Sequence, residues 1–317
     1  MPVIIIGGPT ASGKTGLALA LADACNGEIV NADSIQLYED LPTLTAQPDA
    51  DECAAAPHHL YGIYDADTKS DAQSWRDLAE DTCREISARA KIPIIVGGTG
   101  FYIKAMLEGF SPIPDIPKDI HDSVISKADE MGHQGFLTWA LDHDPKLKNS
   151  HIDVQNPVRM MRAIEVLEAT GESIIDWHQK PLSGPPQGFH FYTIAITPDR
   201  DWLYDRCNRR FDIMIEQGAL GEVRDLHKKI SDGHATTDAP ITRAIGYTEL
   251  SDHLEGLITL DKAKTLACQT TRQYAKRQTT WFKNQWQPDA KYIPHKENAL
   301  NDLIDQTRAF LKNINAD

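Results

Sequence analysis

The sequence predicts an α/β fold: a parallel sheet flanked by helices and carrying an all-helical insertion. Three observations predict it. Short β-rich apolar runs alternate with helix-prone segments, a glycine-rich loop lies between the first such run and the first helix, and the middle of the chain, bounded by prolines, loses its strand signals.

Residues 3–7 form an apolar run followed by a glycine-containing loop and the helix-prone residues 17–24. Residues 28–32 and 92–96 repeat the short-strand signature, and 71–90 between them reads as a helix, so the strands are expected to run parallel through crossover helices. Beyond Gly109, the prolines Pro112, Pro114 and Pro117 close this region. Helices are expected over 120–131, 135–141 and 158–170, the last stopped by Gly171. A proline and glycine cluster at 181–188 ends the insertion, and residues 189–196 return to the sheet as a strand. Helices follow over 201–217, 220–229 and 260–286. The expected division is a core of residues 1–110 and 189–295, a helical insertion of 111–188 and a C-terminal helical tail of 296–317.

At 317 residues, with 41% hydrophobic and 25% charged side chains, the chain is large enough for a sizeable core. No apolar run approaches the roughly 18 residues of a membrane span, so no membrane partner is expected. Residues 1–7 read as a first strand rather than a signal peptide, since no basic region precedes them and no small-residue cleavage site follows. The odd, scattered cysteines Cys25, Cys53, Cys83, Cys207 and Cys268 form no C-x-x-C pair, which favours a cytoplasmic location. A net charge of −14 weighs against a nucleic-acid partner. Distribution outweighs the sum, however: from Lys262 through Pro288 the chain carries Lys262, Lys264, Arg272, Lys276, Arg277 and Lys283 and no acidic residue.

Gly8, Pro9, Thr10, Ala11, Ser12, Gly13, Lys14 and Thr15 match G-x-x-x-x-G-K-[ST] in the strand-to-helix setting that the motif demands, so the fold reads as P-loop NTPase-like. Backbone amides and the helix N-terminus would cradle phosphate oxygens, Lys14 would neutralise charge, and the Thr15 hydroxyl would hold Mg²⁺, the expected cofactor. The motif implies phosphate or pyrophosphate binding and leaves the reaction open. Asp33, with Ser34, Gln36 and Tyr38, follows the second strand, at the carboxyl edge where open α/β sheets bind ligands. A carboxylate there suits a general base, a hydrogen-bond acceptor, a magnesium ligand or merely a helix cap. The third strand ends in Gly97-Gly98-Thr99-Gly100, where glycines allow close approach to a ligand and Thr99 offers a hydroxyl.

Together these segments resemble the tRNA dimethylallyltransferase (tRNA isopentenyltransferase) family. The likeness extends through Pro57-His58-His59-Leu60, Asn156-Pro157-Val158-Arg159, Arg162-Ala163-Ile164-Glu165-Val166, Ala244-Ile245-Gly246-Tyr247, and the stretch from Arg272 to Gln278 with Trp281-Phe282, spanning residues 8–282. The resemblance implies transfer of a dimethylallyl group from dimethylallyl pyrophosphate to N6 of adenosine 37 in the anticodon loop of tRNA, by a monomeric enzyme, with Mg²⁺ and release of pyrophosphate. It implies that Asp33 accepts the N6 proton, and that Lys14, Thr99 and an arginine, Arg206 or Arg210, stabilise the leaving group. It further implies that the helical insertion grips tRNA, with RNA contacts from Ser34, Gln36, Tyr38, Gln155, Arg159, Arg162, Arg243, Arg272, Lys276 and Arg277. Trp281 and Phe282 suit core packing better than base contact.

The chain departs from the family pattern at Gln47, where a lysine is usual, and at Arg243, where a glutamine is usual. It lacks the zinc-finger pattern of eukaryotic members and so looks like the shorter bacterial form. An adenylate isopentenyltransferase shares fold and donor, but the insertion and the basic C-terminal stretch argue for tRNA. The phosphate loop would also suit a P-loop small-molecule kinase or a non-catalytic nucleotide-dependent RNA switch.

Overall fold

A computed structural model of the chain describes residues 1–314 and divides them into two compact units, one built from 1–107 and 186 onward, the other from 108–185. The first unit holds a six-stranded parallel sheet in the order β3-β2-β4-β1-β5-β6. Its strands are β1 (Pro2–Gly7), β2 (Gly27–Asn31), β3 (His58–His59), β4 (Ile92–Gly97), β5 (His190–Ile196) and β6 (Ala290–Tyr292). The central strands are apolar on both faces, as a sheet covered on both sides requires. Ile4 and Ile6 pack with Leu17 and Leu21 of the helix Lys14–Cys25 and with Leu303, while Ile5, which points the other way, is also fully buried.

β3 and β6 were not expected from the sequence. Each is too short to show a periodic pattern, and each exists by pairing: His58 and His59 align with Ile29 and Val30, and Ala290 to Tyr292 with Ile194 to Ile196. Buried Glu28 secures the β3 edge, accepting from Arg89 Nη2 at 2.7 Å and lying 2.7 Å from His59 Nε2.

Residues 296–317, set apart as a tail in the sequence reading, join the core where they are described. The helix Ala299–Ile314 presents Leu303 to the sheet-packed cluster, and Phe310 stacks on Tyr192 at 5.1 Å, so its apolar face has a partner in the sheet. Residues 315–317 of that tail lie outside the described residues.

The second unit is helical. Its helix Lys118–His143 is interrupted at Gly132 (φ 64°), which separates the two stretches read as helices over 120–131 and 135–141. The helix Pro157–Thr170 opens on Asn156, whose Oδ1 accepts from Arg159 N at 3.2 Å, and ends at Gly171 in the left-handed conformation. Phe136, Leu137, Met160 and Ile164 share its core.

Candidate active site

The site lies at the carboxyl edge of β1, β2 and β4, all within the first unit. After β1, positive φ at Ala11 (60°) and Gly13 (88°) bends the backbone back on itself before the helix Lys14–Cys25 begins. Lys14 Nζ donates to Gly8 O at 3.1 Å and Pro9 O at 2.9 Å, so its ammonium sits over the loop. Ser12 is fully buried and its Oγ has no hydrogen-bond partner, a polar atom that a bound anion's oxygens would satisfy.

The helix Arg200–Glu216 supplies the other cations. Leu203, Cys207, Phe211 and Met214 form its buried stripe, which places Arg206 and Arg210, each one residue before a buried position, along the border of that stripe. Arg206 Nε donates to Ala11 O at 2.8 Å, and Arg210 Nη1 donates to Thr10 Oγ1 at 3.3 Å. Both therefore reach the phosphate loop. Burial lowers the Lys14 pKa to about 8, with Asp33 opposing the shift and Arg210 adding to it. Burial likewise lowers that of Arg210. Such a concentration of partly desolvated positive charge favours a polyanion.

Asp33 is held by its own neighbours. Its N–H donates to Asn31 Oδ1 at 2.8 Å, Asn31 Nδ2 donates to Asp33 O at 3.0 Å and Leu60 O at 2.9 Å, and Asp33 Oδ1 accepts from Ile35 N at 3.2 Å. Asn31 is fully buried, a residue with no marker in the sequence beyond its place ahead of Asp33.

A cavity of about 520 Å³ is lined by Thr10, Ala11, Ser12, Gly13, Lys14, Thr15, Asp33, Gln36, Arg206 and Arg210, together with the apolar Ile213 and Met214. It brings together the cations, the loop amides and the carboxylate picked out in the sequence. Gly8 and Pro9 stand behind this wall as acceptors for Lys14. Gln36 is tied through its amide to Thr45 O and Ala46 O, and Gln47 to Tyr38 O.

One expected contact needs correction. Tyr38, expected to touch RNA, is 3% exposed and donates through its hydroxyl to Thr68 O at 2.8 Å, so its side chain holds the loop from inside. Thr99 Oγ1 accepts from Ser34 N at 3.1 Å and lies 3.4 Å from Ser34 Oγ, so it fixes the Asp33 loop.

The remaining expected contacts lie elsewhere. Arg243 is exposed on the 3-10 turn Pro240–Arg243. Arg272, on the helix Leu260–Gln285, donates to Asn208 Oδ1, while Lys276 and Arg277 on the same helix are exposed and line a second cavity with Trp281. Phe282 is buried. In the helical unit Gln155 and Arg159 are exposed, and Arg162 lies 3.3 Å from Glu165.

The Thr15 hydroxyl and the Asp33 carboxylate are hard oxygen donors in one cavity, the set that suits Mg²⁺. Among the described residues no group of three or more His, Cys, Asp and Glu is placed to hold a metal. The donors thus fit an ion held largely by diphosphate oxygens and water, in keeping with the reluctance of Mg²⁺ to give up its water.

The IPP transferase family model matches residues 36–285, and the isopentenyl transferase model matches residues 1–61. The chain is 42% identical over 284 residues to the tRNA dimethylallyltransferase of Paramagnetospirillum magneticum, covering 90% of this chain and 88% of that one. It is 44% identical over 282 residues to that of Parvibaculum lavamentivorans, covering 89% and 88%. Among solved structures it is similar to the full-length tRNA isopentenylpyrophosphate transferase of Bacillus halodurans, with a TM-score of 0.69, 31% identity and coverage of 98% and 97% of the two chains. A eukaryotic dimethylallyltransferase acting on tRNA shares the fold with a TM-score of 0.83 at 24% identity, covering 98% of this chain and 80% of that one.

Proposed function

Since the chain belongs to the IPP transferase family, we propose that it transfers a dimethylallyl group from dimethylallyl pyrophosphate to N6 of adenosine 37 in tRNA, acting as a monomer in the cytoplasm. The observation that carries this reading is the single cavity in which a phosphate loop, Lys14, Arg206 and Arg210 share walls with Asp33.

Adenine N6 attacks C1 of the dimethylallyl group, the C–N bond forms as the C–O bond to pyrophosphate breaks, and the N6 proton passes to Asp33. Lys14, the two arginines and the loop amides stabilise the charge that gathers on the leaving oxygen. Thr15, with diphosphate oxygens, would hold Mg²⁺, which supplies further charge neutralisation when bound. Ile213 and Met214 give the hydrocarbon an apolar wall. Reaching N6 requires the base to leave its stack, and the exposed Lys276 and Arg277, with Arg243 and the arginines of the helical unit, supply cations for the phosphate backbone. Among the described residues no helix is long and apolar enough to cross a membrane.

Purified protein is incubated with the prenyl donor, magnesium and an unmodified adenosine-37 stem-loop, and the RNA is weighed by mass spectrometry beside a parallel reaction with AMP. The expected result is one prenyl group added to the RNA, matched by released pyrophosphate, with AMP a poor acceptor. Phosphoryl transfer with no change in the RNA refutes the reading.

A further inference from the structure

The helix Leu260–Gln285 turns Gln278 inward, 6% exposed, on the buried stripe that includes Ala275 and Phe282. A buried amide is costly unless both of its ends are paired. Here they are: Oε1 accepts from Thr10 N at 2.7 Å, and Nε2 donates to Gly98 O at 2.8 Å. Thr10 belongs to the phosphate loop, and Gly98 to the loop that follows β4. That second loop continues to the carboxylate, because Thr99 N donates to Ala32 O at 3.3 Å and Thr99 Oγ1 accepts from Ser34 N at 3.1 Å, on either side of Asp33. Hydrogen bonds, joined through the Gly98–Thr99 peptide, therefore connect the phosphate cradle, by way of Gln278, to the loop that carries Asp33.

Packing points the same way. A Cβ built on Gly98 would lie 2.4 Å from Gln278 Nε2 and 3.4 Å from Asp33 Oδ2, so the amide and the carboxylate flank one glycine. Lys276 and Arg277, the preceding residues on this helix, are exposed, whereas Gln278 is enclosed and has no surface for RNA.

We propose that Gln278 is a positioning residue for prenyl transfer, fixing the separation between the phosphate loop and Asp33. This rests on the reading of the cavity as the prenyl-transfer site. Reaction rates are sensitive to misplacement of about 1 Å, and a neutral amide with a donor and an acceptor joins two loops without adding charge beside Lys14 or Asp33.

The test compares wild type with Gln278→Leu and Gln278→Glu in three measurements: magnesium pyrophosphate affinity by calorimetry, the single-turnover rate of stem-loop prenylation against pH, and KM for the stem-loop. For Gln278→Leu the expected results are pyrophosphate binding about tenfold weaker, a rate about 10- to 100-fold slower, and a stem-loop KM within about twofold of wild type. Gln278→Glu keeps the acceptor for Thr10 N, and its carboxyl donates to Gly98 O only when protonated. Its rate relative to wild type should therefore recover as pH falls from about 8 to about 6, burial having raised the introduced group's pKa, while the Gln278→Leu ratio stays flat. Wild-type rates and pyrophosphate affinity in both variants, or a loss confined to the stem-loop KM, overturn the proposal. If Gln278→Leu does not fold, the pH response of Gln278→Glu decides, a flat ratio counting against the proposal. A wild type that binds pyrophosphate but transfers no prenyl group defeats the underlying reading instead, and the pyrophosphate affinities then judge the loop-pinning alone.

Discussion

Lys14 carries its charge at a cost. Burial brings its pKa down to about 8, so the free protein sheds this proton within an accessible pH range. A bound diphosphate restores the amine's basicity. Below about pH 8 the ammonium is already formed and affinity is undiminished; as pH rises past that point binding must take up a proton, and affinity falls. Lys14→Arg, whose guanidinium stays charged, reports the titration of the ligand itself. The ratio of wild-type to Lys14→Arg dissociation constants for pyrophosphate should be flat below about pH 8 and climb above it, and a ratio flat throughout would contradict the assignment. Asp33 is tested through rate. Asp33→Ala should lower kcat by about 100- to 10,000-fold, the usual contribution of a general base, with little change in tRNA affinity; wild-type turnover at saturating substrates would remove Asp33 from that role.

The elements that carry these residues differ in how plainly the sequence announces them. β1 and β4 are legible because strands buried on both faces are apolar nearly throughout, whereas β2 shows only Ile29 and Val30 between the buried polar Glu28 and Asn31. β3 and β6 are not, because two or three residues hold no pattern and only a distant partner makes them strands. The phosphate loop and Asp33 could be read from their motifs, whereas the arginine came only through the family resemblance, which left Arg206 and Arg210 undivided. Asn31 and Gln278 could not be assigned roles, since a buried amide is told from a surface one only by the partners that folding brings to it. Tyr38 misled for the same reason: its hydroxyl serves the protein's own backbone. The close packing of β2 and β4 gives a prediction at this scale. A Cβ on Gly97 would lie 2.0 Å from Ala32 O, so Gly97→Ala must push apart the loops that frame the cavity. Denaturant unfolding should show a loss of about 1–3 kcal/mol or more; an unchanged midpoint would mean that the loops yield freely.

Across the whole molecule the net charge of −14 sets a background that repels RNA, against which the exposed Lys276 and Arg277 form a local exception. Binding of the stem-loop should therefore weaken steeply with salt, and Lys276→Glu should flatten the log–log dependence by about one unit if that lysine meets a phosphate. Filter binding across a salt series measures the slope, and an identical slope in the variant would place Lys276 outside the contact.

The sheet's outermost strands are also its shortest, His58–His59 on one side and Ala290–Tyr292 on the other. Their free margins expose few unpaired amides and carbonyls, so another extended polypeptide finds scant purchase for adding itself alongside. This brevity guards against accretion into fibrils, a hazard that a large, strongly apolar parallel sheet would otherwise court.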